Sequence, residues 1–228
     1  GRWPWKRALQ AQLLKELRQH YHAGILGLDI IYLQPEDELN DHELEMALDP
    51  VGSPVVGGYF FRDQQTVGGD HEAQTILQQN QLSLTHTLDA TEPTAVLSFP
   101  FVETNQNRFS PLMAGLGFFN TVHDVDGLIR STPLVASYEQ GYYPSLALKT
   151  LATYCNLQIS AVFAKQGVAN LRLTPTDSMQ ASAPDRCEAL WQQRKPPLDI
   201  PVSTKGALWL DFYRGQGIPI YSAADVLA

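Results

Sequence analysis

Cysteine is scarce in this chain, with only Cys155 and Cys187 among 228 residues. Neither stands at metal-type spacing from the other or from a histidine, which excludes zinc-finger chemistry and leaves two free thiols or one disulfide. Long apolar runs are missing too. None approaches the roughly 18 residues needed to cross a bilayer, and the first residues lack the charged, apolar and small-residue layout of a secretory leader. Positive charge is in short supply, with Lys+Arg 16 against Asp+Glu 24 and a formal charge of -8. Long-range electrostatics therefore repel phosphate and anionic headgroups, so no nucleic acid is expected as a partner.

Catalytic signatures are absent as well. No Walker loop, nucleophile elbow or zinc-protease motif occurs, and no cofactor is expected. "GLGFFN" from Gly115 superficially resembles a dinucleotide fingerprint, but its sixth position is Asn120 and it leads into a strand-like run instead of opening a helix. "HDVDG" from His123 fails as a calcium loop. Aligned on Gly127 as the sixth position, the first is Val122 and the twelfth Pro133, and neither supplies the required ligand.

What is present is a globular composition, 44% hydrophobic, enough for a substantial core. Leu9, Leu13, Leu17 and Tyr21 recur every four positions between Lys6 and Tyr21, which predicts an amphipathic helix with Pro4 at its entry. "AGILGLDIIYLQ", residues 23–34, is almost unbroken aliphatic sequence and predicts a strand buried on both faces. A short helix over about 41–48, with Leu44 and Leu48 on one face, and a strand in "SPVVGGYFF" follow. Residues 62–93 are polar and Gln-rich, an excursion with a short helix near 71–79, and another strand is expected over 95–99. The alternation of helix and strand predicts a mixed α/β fold, a largely parallel sheet flanked by helices.

In the second half, β-prone runs over 116–122 and 128–137 flank the turn-forming "HDVDG" and predict an antiparallel hairpin. "YPSLALKTLATYC" predicts a packed helix starting at Pro144, and short strands are expected over 161–164 and 169–173. Residues 175–200 read as a surface loop and "GALWLDFYRG" as a late strand. Ser222 with Asp225 three positions on has a capping layout for a helix that opens close to Ala228, so the natural protein is expected to continue.

Few polar residues stand out as candidates for function. Asp29 interrupts an apolar run, so it needs a hydrogen-bonding partner or a place at the open strand end where α/β sheets bind ligands. Asn120, Asp124, Asp126 and Arg130 crowd the turn-rich segment, where turn formation and ligand contact are both open readings. His20 and His22 suit the C-terminal end of the first helix, and His71 a helix start beside Asp70 and Glu72. "RWPWKR" from Arg2 mixes Trp with basic residues, as at a membrane–water boundary, and equally suits an ordinary helix entry.

Taken in order, "WPWKRALQAQLLKEL", "AGILGLDIIYLQPED", "ELEMAL", "GFFNTVHDVDGLIRSTPL", "YPSLALKTL" and "YSAADVL" resemble the CHASE type-2 extracellular sensor domain over nearly the whole chain. The resemblance implies one sensor domain over residues 1–228, shortened at its C-terminus relative to the family. It implies placement on the periplasmic or extracellular face of a bacterial membrane protein, flanked by transmembrane helices, with cytoplasmic output from a nucleotide cyclase, histidine kinase, diguanylate cyclase or protein kinase. The expected partner is an unknown small-molecule or periplasmic ligand, and a homodimer is compatible with such a module. The family brings no catalytic set, so the domain itself is not expected to be an enzyme. An oxidising compartment would allow a Cys155–Cys187 disulfide, and Trp3 and Trp5 would sit near the bilayer. The competing readings are a hydrolase using Asp29, His123, Asp124 or Asp126, whose groups would have to converge, and a ligand-free dimerisation scaffold.

Overall fold

The computed structural model describes residues 4–49, 52–64, 75–86, 95–176, 187, 197–211 and 219–227. Trp3, residues 65–74 with His71, 87–94, 177–196 except Cys187, and 212–218 lie outside them. The fold is mixed α/β, as the alternation of elements predicts.

Helix α1 (Arg7–Gln19) packs on α2 (Glu38–Leu48) through an unexpected face. The buried positions are Arg7, Gln10, Ala11 and Leu14, whereas Leu9 and Tyr21 are exposed. Polar anchoring explains the rotation. The buried Arg7 guanidinium donates to the Asp41 carboxylate and to the Gln34 carbonyl, and it lies 5.4 Å from the Tyr32 ring and 5.1 Å from the Phe109 ring. Tyr32 donates its hydroxyl to Gln10 at 2.8 Å. Helix α2 agrees with its predicted face: Leu44 and Leu48 are fully buried, and Asp37 caps it by accepting from the Asn40 N–H at 2.9 Å.

Strand β2 (Val55–Arg62) is the centre of the first sheet. On one flank it pairs in parallel with β1 (Leu26–Leu28), then antiparallel with β5 (Phe101–Glu103); on the other it pairs in parallel with β6 (Gly115–Phe118). The predicted strand over 23–34 is thus cut to three residues at a sheet edge. The reason is competition for one flank, because β5 takes over from Phe60 onward and the chain from Asp29 must leave. Asn105 fills the gap between the two pairings: its amide donates to the Gly58 carbonyl at 2.9 Å and accepts from the Tyr32 N–H at 2.8 Å. Ile30 and Tyr32 account for the apolar run by packing on the core as irregular chain.

The hairpin predicted over 116–137 is not formed. Strand β6 is committed to β2, and β7 (Ser131–Pro133) pairs instead with β13 (Ala207–Trp209). Antiparallel hairpins lie elsewhere, in β8 (Val135–Tyr138) with β9 (Gly141–Pro144) and in β10 (Leu157–Ala164) with β11 (Gly167–Pro175). Strands β10 and β11 are longer than their apolar stretches suggest, because alternation buries Leu157, Ile159, Ala161 and Phe163 on one face. Strand β3 (Ser83–His86) pairs with β10, and β12 (Leu198–Pro201) with β11. The strand expected over 95–99 shrinks to β4 (Ser98–Phe99), alongside β8.

Helix α3 (Leu146–Tyr154), capped by Ser145, crosses β6 and touches both β2 and β10. It stands between two apolar clusters. One gathers around Tyr59, Phe61, Phe118 and Leu44; the other around Leu148, Phe163, Leu171 and the Cys155–Cys187 disulfide. Near the end of the chain, α4 (Ala223–Val226) opens on Ser222, whose hydroxyl accepts from the Ala224 N–H at 3.1 Å.

Candidate functional site

The segment joining β6 to β7 turns on itself. Gly127, at φ 81°, donates its N–H to the Asp124 carbonyl at 2.8 Å, and the Asp124 N–H donates to the Leu128 carbonyl at 2.8 Å. A left-handed residue is required there, which is why glycine occupies it. Arg130 then closes the turn with three charge-assisted bonds, to Asp124 at 2.7 Å and to both Asp126 oxygens at 2.9 and 2.6 Å. This pairing holds the Asp126 carboxyl below its usual range and raises the Arg130 guanidinium. Asp124, Asp126 and Arg130 are thus brought together, and they satisfy one another in an exposed turn.

Asn120 is separate from them. It is buried, and its amide accepts the Phe61 N–H at 2.9 Å and donates to the Phe61 carbonyl at 2.9 Å, continuing the β6 pairing where the strand has ended. Asp29 is exposed, one residue past β1, so it needs no buried partner. Both follow parallel strands, on opposite flanks of β2.

An open cleft of about 720 Å³ lies at this end of the sheet, between 60–64, 97–99 and 120–123. Its cation is already engaged, since Arg62 donates to Glu103 at 2.9 and 2.7 Å and stacks 4.6 Å from the Phe60 ring. Of the four residues in the hydrolase reading, His123 alone lines this cleft. Asp29, Asp124 and Asp126 are not among its lining residues, so the set named in the hydrolase reading is not gathered there.

A second location has a different character. Two clefts of about 380 and 360 Å³ adjoin α3, and Lys149 and Asn80 line both. Lys149 is half-buried, its stem passing over Gly115, where an added Cβ would come within 2.2 Å of the Lys149 Cε. Its ammonium has no carboxylate or hydrogen-bonding partner among the described residues. Burial pushes its pKa below the usual lysine value. Sequence reasoning missed this residue. The available signal is that Lys149 is the one charge in the apolar helix "LALKTLATY".

The family model for the CHASE2 domain matches residues 1–228, the whole chain. The chain belongs to the CHASE2 domain family. CHASE2 is a sensory extracellular domain rather than a catalytic one. Neither a curated protein nor a solved structure matches this chain. Within this CHASE2 domain no helix among the described residues is long and apolar enough to cross a membrane. The described residues contain no group of three or more His, Cys, Asp or Glu able to hold a metal ion. The buried Cys155–Cys187 disulfide suits an oxidising compartment.

Proposed function

We propose that this CHASE2 domain is the extracytoplasmic input of a bacterial membrane-bound signalling protein, transmitting the binding of a small-molecule or periplasmic ligand across the membrane. The output is a nucleotide cyclase, histidine kinase, diguanylate cyclase or protein kinase. The observation that carries this reading is the family match over the entire chain. The disulfide supports the compartment, and Lys149, lining two clefts and without a partner among the described residues, supports a ligand-receiving role. Signalling requires a ligand that distinguishes two states of the domain, because equal affinity for both shifts nothing. Helix α3, which touches β6, β2 and β10, is placed to report such a difference.

Protease added to spheroplasts that carry the full-length protein tests the topology. Cleavage within residues 1–228 with the output region protected is expected. Cleavage of this region only after membrane lysis would overturn the proposal.

A further inference from the structure

We propose that the two clefts flanking Lys149 form one binding site for a small organic acid carrying a single carboxylate and further hydroxyl or amide groups. The charge balance points to the class. Neither cleft is lined by any aspartate or glutamate among the described residues, although the chain carries Asp+Glu 24 against Lys+Arg 16. Among the described residues the one charged group at both clefts is the Lys149 ammonium, and it has no partner among them. A half-buried cation without a counter-ion costs free energy, and an incoming carboxylate would remove that cost.

Size and lining narrow the ligand further. Cleft volumes of about 380 and 360 Å³ lie near the small end of small-molecule sites. The neutral lining offers hydroxyls and amides. Thr153 stands one helical turn after Lys149 on the first cleft, and Gln79 and Thr75 line the second. Asn80 is held between them, accepting the Leu116 N–H at 2.9 Å, so the wall shared by the clefts is fixed to β6. A single ammonium without an arginine fork matches one carboxylate better than a phosphate dianion, which favours several cationic or bidentate donors.

The site supplies a ligand class for the sensing role and rests on that reading for its purpose only. Its test is binding to residues 1–228. Protein labelled with carbon-13 at the lysine side chains is titrated with lactate, glycerate and N-acetylglycine, and separately with inorganic phosphate. Disappearance of one signal in Lys149→Met assigns the Lys149 resonance. A saturable shift of that resonance with at least one of the three acids, the other lysines unmoved, is expected. Thr153→Ala, which keeps the Lys149 signal, should weaken that binding by about two- to tenfold, the loss of one hydrogen bond.

No saturable shift with any of the three, equal movement of all lysines, or tighter binding of phosphate would each overturn the proposal. Binding without any change in output from the full-length protein would keep the site and defeat the sensing role instead.

Discussion

Asn120 holds both backbone polar groups of Phe61 with a single side-chain amide. Phe61 is fully buried, and its ring meets those of Tyr59, Phe99, Phe118, Tyr138 and Tyr143 at centroid distances of 5.2 to 6.1 Å. The clip thus fixes the hub of the first core cluster. Asn120→Ala strands a buried N–H and a buried carbonyl and should cost about 2–4 kcal/mol. Urea denaturation measures it. A loss below about 0.5 kcal/mol would mean that the backbone finds other partners.

Gly117 lies against the start of α3. A Cβ there would sit 2.5 Å from the Leu146 Cα, a clash with backbone that no rotamer relieves. Gly117→Ala should therefore force β6 and α3 apart, destabilising the fold by about 3 kcal/mol or more. Thermal unfolding checks this, with Gly127→Ala as a contrast. At Gly127 nothing lies within 4 Å, and the cost comes from the positive φ alone.

The Cys155–Cys187 disulfide spans 32 positions and lies in the second core cluster. Loop-closure entropy for that span gives about 3–4 kcal/mol of stabilisation. Reduction, or Cys155→Ala with Cys187→Ala, should lower the unfolding midpoint accordingly. An unchanged midpoint would show that the crosslink contributes nothing.

Arg108 ties α2 to the segment after β5, bonding Glu38 at 2.9 and 3.0 Å, Glu45 at 2.6 Å and Asp41 at 3.3 Å. These bonds hold the Glu38 and Glu45 carboxyls below the ordinary 4.5. The unfolded chain then binds more protons than the folded one, so this stabilisation is complete above pH 4.5 and is lost as pH falls through the folded-state values. Denaturation between neutral pH and pH 3 should show stability falling below about 4.5. Arg108→Gln should flatten that fall.

Legibility followed the length and regularity of each pattern. Helix α2, strand β2 and helix α3 were readable because periodic apolar residues meet a cap or turn at their ends. Residues 23–34 misled because an aliphatic run reports burial, and burial here is achieved partly by irregular chain held through Asn105. Likewise "HDVDG" is the turn its composition predicts, but pairing partners are set by distant strands, so the hairpin was not readable. Among the site residues, Asp124, Asp126 and Arg130 were legible as a cluster. Asn120 sits in the same short segment yet belongs to the core. The glycines of "GLGFFN" resembled a nucleotide loop; their physical cause is close approach, of Gly117 to α3 and of Gly115 to the Lys149 stem. Lys149 required the fold, because only the clefts distinguish it from a solvated helix charge.

Sensing across the membrane is tested most directly by output activity in right-side-out vesicles carrying the full-length protein, with the dialysable fraction of the growth medium added outside. The same assay is run on a version in which an inert domain replaces residues 1–228. A sensory input predicts an output change in the intact protein and none in the replaced one. No response in the intact protein, or an equal response in both, would contradict it.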